Sequence, residues 1–195
     1  MLGAIKYNLT HLLDFSGRDA RQTFWYFVLV LVVLNIAVSM VAMIPMMVGM
    51  MDTAFEAARS GASEESMQAV ISGELSGMMG GVVWVSVISN VVTCLLLLAA
   101  FVRRLHDSDN SGWWAALAVA SQALGIAITI RTAEAMEKIV ASSLNTTDLG
   151  SMIERQSEVG AYGLIGWIAP IVIIAFGVMK STDGPNRFGE APVRF

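Results

Sequence analysis

The chain has 195 residues, of which 55% are hydrophobic and 14% are charged, and its formal net charge is −4. Soluble domains carry about 25% charged residues, so this composition leaves too little polar surface to cover a globule in water. There is no basic excess of the kind that binds nucleic acid, and the composition predicts a membrane protein.

The first 14 residues predict an amphipathic helix. Apolar residues recur at steps of three and four, which is helical spacing; they are Leu2, Ile5, Leu9, Leu12 and Leu13. Lys6, Asn8 and His11 lie off this stripe. The pattern predicts a helix that lies in the membrane interface. Residues 16–19 then match the S-x-x-D capping box, so a new helix is expected to begin there.

Four apolar stretches are long enough, or nearly long enough, to cross a bilayer core of about 30 Å as helices. They cover about 24–51, 82–102, 113–130 and 162–179, and none contains Asp, Glu, Lys or Arg. Pro45 predicts a kink or the membrane exit near that point. We therefore predict an all-α fold: an integral membrane four-helix bundle with an N-terminal interfacial amphipathic helix, forming a single membrane domain over 1–195.

The distribution of basic residues predicts the orientation. Eight of the 12 Lys and Arg residues lie in the N-terminal segment, the 103–112 loop and the C-terminal tail. The two remaining loops, about 52–81 and 131–161, carry ten of the 16 acidic residues. The positive-inside rule therefore predicts cytoplasmic termini. Helical spacing in these two outer loops predicts short amphipathic helices or extensions of the spans.

Two arginines precede the first span in the stretch GRDARQTFWYF. Arg18 and Arg21 are three residues apart and share a helix face. Trp25 follows four residues after Arg21, close enough for its ring to face the guanidinium. One interpretation is an interfacial anchor, in which the arginines contact lipid phosphates. The other is a more specific site for an anion or a partner.

The stretch RRLHDSDNSGWW connects the second and third spans. Arg103, Arg104 and His106 are predicted in the last turn of a helix, where cations offset the negative end of the helix dipole. Trp113 is predicted to anchor the next span. The dipole disfavours Asp107, so we expect it to pair with an arginine from another segment. A metal ligand or general base at His106 and Asp107 is the weaker interpretation, because only one other histidine exists.

The tail STDGPNRFGEAPVRF contains turn signals that end the fourth span near Lys180. Its apolar residues predict that it folds back over the cytoplasmic ends of the bundle and brings Asn186 and Arg187 there. The alternative is a frayed terminus.

Three stretches in this order resemble a known family. GRDARQTFWYF, RRLHDSDNSGWW and GPNRFGEAP are similar to the motifs of the bacterial inner-membrane family called domain of unknown function 805. The likeness extends from end to end of the chain, and the middle motif is the most specific. Gln22 and Thr23 stand where that family often has a basic and then an acidic residue. The resemblance implies a multi-span inner-membrane protein and implies no reaction.

The predicted function is therefore non-enzymatic. It rests on a cytoplasmic surface that binds anionic lipid or a protein partner, formed by Arg18, Arg21, Trp25, Arg103, Arg104, His106, Asp107, Trp113, Asn186 and Arg187. A small transporter or channel is one alternative, weakened because the spans lack ionisable residues. A membrane enzyme acting on a phosphorylated lipid is the other. No catalytic residue, cofactor or metal site is predicted.

Overall fold

The computed structural model describes residues 1–61, 64–143 and 164–192. The regular elements in these ranges are helices: α1 (Leu2–Thr10), α2 (Arg21–Ser60), α3 (Glu64–Asp107), α4 (Trp114–Ser143), a 3₁₀ turn (Leu164–Trp167) and α5 (Ile168–Val178). The prediction of an all-α fold is confirmed.

Three of these helices contain segments long and apolar enough to cross a membrane. They are Arg21–Ser60, Gly80–Asp107 and Trp114–Ala133. The fourth predicted span, 162–179, corresponds to the 3₁₀ turn and the 11 residues of α5. Together these described residues rise about 25 Å, and a bilayer core is about 30 Å thick. Residues 162 and 163 lie outside the described residues.

The outer segments continue the long helices. Residues 52–60 belong to α2, which runs through Pro45, and residues 64–81 belong to α3. Residues 131–143 belong to α4. The alternative in which the outer loops extend the spans is therefore confirmed for these residues, whereas 144–161 lie outside the described part of the chain.

The chain divides into two compact units. The first comprises Met1–Asn35, Asn90–Gly125 and Gly163–Phe195. Its core consists of Phe24, Phe27 and Leu31 of α2, Ala100, Phe101 and Leu105 of α3, Ala115 and Ala118 of α4, and Ala169 of α5. The second comprises Ile36–Ser89 and Ile126–Tyr162. In it, Met40, Met47 and Met51 of α2 are exposed, as expected of side chains that face lipid. That the chain forms one membrane domain stays a prediction.

The N-terminal segment differs from its sequence pattern in two ways. Leu2 and Leu9 of α1 are exposed, as expected of a helix that lies in the membrane interface, whereas Asn8, assigned to the polar face, is buried. The predicted capping box is wrong, because α2 begins at Arg21. Gly17 has a φ of +81°, which interrupts helical geometry, and the Asp19 amide donates to the Arg103 carbonyl at 3.1 Å. Residues 17–19 are thus held by α3 instead of forming a helical turn.

Candidate functional site

Asp107, the last residue of α3, is the centre of a buried charge cluster. Its Oδ1 accepts hydrogen bonds from Arg18 Nε at 3.2 Å and Nη2 at 3.0 Å. Its Oδ2 accepts one from Arg104 Nη1 at 2.5 Å. All three side chains are fully buried. The prediction that Asp107 pairs with an arginine from another segment is confirmed, and these contacts compensate for its unfavourable position at a helix C-terminus.

Arg18 also connects the cluster to the C-terminal tail. Its guanidinium donates to the Thr182 carbonyl at 2.8 Å, the Thr182 hydroxyl at 3.0 Å and the Gly184 carbonyl at 2.6 Å. The Thr182 amide and hydroxyl in turn donate to the Asp107 carbonyl at 2.9 and 3.0 Å. The predicted folding back of the tail is confirmed for residues 180–192.

Arg103 connects α3 to the N-terminal segment. The side chain is buried, and it donates to Asn8 Oδ1 at 2.7 Å, to the His11 carbonyl at 2.8 Å and to the Asp14 carbonyl. Its guanidinium lies 5.5 Å from the centre of the Tyr7 ring. Arg103 was predicted in the last turn of α3, but that turn contains Arg104 and His106. Arg103 lies just before it and satisfies the carbonyl of His11, the C-cap of α1, and that of Asp14 in the following loop.

Asp19 is the second acid of the cluster. Its Oδ2 lies 3.3 Å from Arg103 Nη2, and both side chains are 1% exposed. Burial raises the pKa of Asp19, and the positive charge of Arg103 offsets only part of that shift. The charge cluster, defined here as Arg18, Asp19, Arg103, Arg104 and Asp107, thus contains three cations and two acids in a region without solvent access.

The C-terminal end of α5 is capped by side chains from two other helices. The Gly177 carbonyl accepts from Trp25 Nε1 at 3.1 Å and Arg104 Nε at 3.2 Å. The Val178 carbonyl accepts from Arg21 Nη1 at 3.4 Å, and Arg104 Nη2 donates to the Met179 carbonyl. These carbonyls have no partners within α5, so the caps satisfy them. The expected stacking of Trp25 on Arg21 is replaced by this hydrogen bond to Gly177.

Gly177 is required by this arrangement. A Cβ at that position would lie 2.8 Å from Trp25 Cζ2 and 3.0 Å from Phe24 Cε1. Only glycine allows the two rings of α2 to approach α5 so closely.

A second set of contacts holds the tail against the 103–112 loop. The His106 and Phe188 rings stack at 3.9 Å, and the Arg187 guanidinium lies 4.7 Å from the centre of the Phe188 ring. Arg187 Nε pairs with Asp109 Oδ1 at 3.0 Å, and Asn186 Nδ2 donates to the His106 carbonyl at 2.8 Å. The tail is therefore fixed by ring stacking as well as by Arg18.

The ten residues predicted from sequence thus divide by exposure. Arg18, Arg103, Arg104 and Asp107 are buried; Trp25, His106 and Asn186 are partly buried; Arg21, Trp113 and Arg187 are exposed. The structure brings nine of them into the contacts described above, whereas Trp113 is 82% exposed at the start of the third span.

This geometry limits the chemistry of the buried residues. Both carboxylate oxygens of Asp107 accept hydrogen bonds from arginine, and the side chain has no solvent access, so it is not positioned to exchange a proton with a substrate. Among the residues that the structure describes, no group of three His, Cys, Asp or Glu side chains is placed to hold a metal ion. Asn8, Asp19, Gly177 and Thr182 are site residues that sequence reasoning missed.

Comparison with known proteins gives a family match over nearly the whole chain. The model of the family described as "Protein of unknown function (DUF805)" matches residues 12–190. No curated protein and no solved structure matches the chain.

Proposed function

The chain belongs to this DUF805 family, and we propose that it is a non-enzymatic, multi-span protein of the bacterial inner membrane whose cytoplasmic surface binds anionic lipid headgroups. The observation that carries the proposal is the contrast between paired and exposed cations. The buried arginines pair with Asp19 and Asp107. These contacts hold the N-terminal segment, the end of α3 and the tail together. Arg21 remains exposed on the surface that they build.

The position of the exposed side chains supports lipid as the ligand. Arg21 is the first residue of α2, and Trp113 directly precedes α4. Both helices contain segments apolar enough to cross a membrane. Cations and indole rings at the ends of such segments lie at headgroup depth. Each basic residue near an anionic surface contributes about 1 kcal/mol to the attraction.

The orientation is part of this proposal and has its own test. In a Cys94→Ala background, Glu64→Cys should react with a membrane-impermeant thiol reagent in whole cells, whereas Asp109→Cys and Glu190→Cys should not. This result follows from cytoplasmic termini, which the Lys and Arg distribution supports. The reverse labelling pattern would place the charge cluster outside the cell and refute a cytoplasmic lipid surface.

Lipid binding is tested on the purified full chain in detergent. Added phosphatidylglycerol should raise the unfolding temperature more than added phosphatidylcholine, because ligands that bind only the folded state stabilise it. The difference should shrink at high salt, which screens exposed charges. Equal effects of the two lipids at low salt would contradict the proposal.

A further inference from the structure

A polar groove of about 540 Å³ lies beside the charge cluster. Residues 20–22 at the start of α2 form one wall, and residues 180–184, 191 and 192 of the tail form the other. We propose that this groove binds the phosphate headgroup of one anionic phospholipid, with Arg21 and Lys180 as its cations. This inference rests on the proposed function and assigns it to one site.

The two cations are available to a ligand. The Arg21 guanidinium has five N–H donors, and in the described part of the chain it makes one hydrogen bond, 3.4 Å long, to the Val178 carbonyl. Lys180 Nζ lies 3.1 Å from Asp183 Oδ2, with side chains 79% and 89% exposed. Exposed pairs of this kind are weak, so the Lys180 ammonium can turn from Asp183 to a phosphate.

The position of the groove along the helices indicates that its ligand is a lipid headgroup. Arg21 is three residues before Phe24, where the first apolar stretch begins, which is about 4.5 Å along the helix. Lys180 is two residues after Val178, the last residue of α5. Both walls therefore lie where apolar helices end, which is the depth of lipid phosphates. The N-terminal end of the α2 dipole adds positive potential at the Arg21 wall.

The tail wall is held in place before any ligand binds. Arg18 donates to the carbonyls of Thr182 and Gly184. Gly184 has a φ of +73°, and a Cβ added there would meet nothing within 4 Å, so the backbone borders open space. The volume falls within the range of small-ligand sites, roughly 300–1,000 Å³. The buried cluster thus positions a preformed groove, and the exposed cations supply its charge.

The experiment measures retention of phosphatidylglycerol by the full chain in native mass spectrometry across a lipid titration. Arg21→Gln and Lys180→Gln should each weaken binding of the tightest lipid about fivefold, the effect of losing one basic residue near the phosphate. Asp183→Asn should strengthen binding, because it removes the carboxylate that competes for Lys180. Lys6→Gln, an exposed cation of α1 outside the groove, is the matched control and should leave binding unchanged.

The outcomes separate this site from the proposed function. If the wild-type chain prefers phosphatidylglycerol to phosphatidylcholine but Arg21→Gln and Lys180→Gln bind it as the wild type does, the groove is rejected and the lipid surface stands. If the wild-type chain shows no preference, both are rejected. If soluble glycerol phosphate binds as tightly as the lipid, the ligand is a free phosphate ester and the lipid assignment is wrong. Unchanged unfolding temperatures without lipid confirm that the variants are folded.

Discussion

Replacing Asp107 by Asn should destabilise the protein by about 3 kcal/mol. The substitution keeps the size of the side chain but removes the negative charge between two buried guanidinium groups, Arg18 and Arg104. If the amide oxygen still accepts from Arg18, the amide NH₂ faces Arg104 Nη1, which lies 2.5 Å from Oδ2 in the native protein. Breaking a buried ion pair costs roughly 3–5 kcal/mol. The lower end is expected because backbone carbonyls also accept from both arginines.

The same loop supplies the control for this measurement. Asp109 pairs with Arg187 at 3.0 Å, but these side chains are 49% and 61% exposed. Asp109→Asn should therefore cost about 0–1 kcal/mol. Its φ of +57° is one that asparagine tolerates, so no backbone strain is added. Unfolding of the purified variants in mixed detergent micelles gives both free energies. Equal losses for the two variants would refute the argument that burial makes Asp107 important.

A double-mutant cycle tests the pairing directly. Arg18→Gln combined with Asp107→Asn should destabilise the protein by less than the sum of the two single changes, with a coupling of about 0.5–3 kcal/mol. Strict additivity would mean that the contact between Arg18 and Asp107 contributes nothing to folding.

Three further changes test other parts of the site by the same unfolding assay. Gly177→Ala should cost about 1–3 kcal/mol, because the added Cβ meets Trp25 at 2.8 Å, and an unchanged stability would contradict the close packing of α5 on α2. Asn8→Ala should cost about 1–3 kcal/mol, because Arg103 Nη2 loses a buried acceptor; a negligible loss would show that α1 is not held through this bond. Asp19 has a pKa raised above its ordinary 3.8, so the folded state binds its proton more tightly than the unfolded state does. Its contribution to stability is therefore full below pH 3.8 and is lost as pH rises through the raised pKa; Asp19→Asn should remove that decline, and a variant with the wild-type slope would contradict the burial effect.

The membrane helices could be predicted from sequence because bilayer thickness sets the length of an apolar span. The positions of α2, α3 and α4 in the sequence follow from the lengths of the uninterrupted apolar stretches alone, and no information on tertiary contacts is needed. In the fourth predicted span, 162–179, the structure describes a 3₁₀ turn at Leu164–Trp167 and α5, which begins at Ile168. Hydrophobicity does not distinguish an α-helical turn from a 3₁₀ turn, so the first residue of α5 could not be predicted from the sequence.

The sequence could predict that Asp107 forms an ion pair, but it could not predict which segments the arginines of the charge cluster contact. An acid at the end of a helix among arginines predicts a pair, and Asp107 makes two. Arg103 and Arg104 are adjacent in sequence, so their side chains point about 100° apart around α3. One therefore reaches α1 and the other reaches α5, a difference that depends on where those helices lie. Asn8 had a weak signal, because it shares a helix face with Ala4, a small residue that allows close packing.

The partners of Arg18 have a consequence for the order of biosynthesis. Asp107 is made 75 residues before Thr182, the first tail residue that accepts a hydrogen bond from Arg18. At roughly 5–20 residues per second, translation takes about 4–15 s to cover that distance. During that interval the carbonyls of Thr182 and Gly184 have not yet been made. Water must therefore accept the hydrogen bonds that Arg18 later donates to them. The tail can therefore close this end of the bundle only after the described helices have been synthesised.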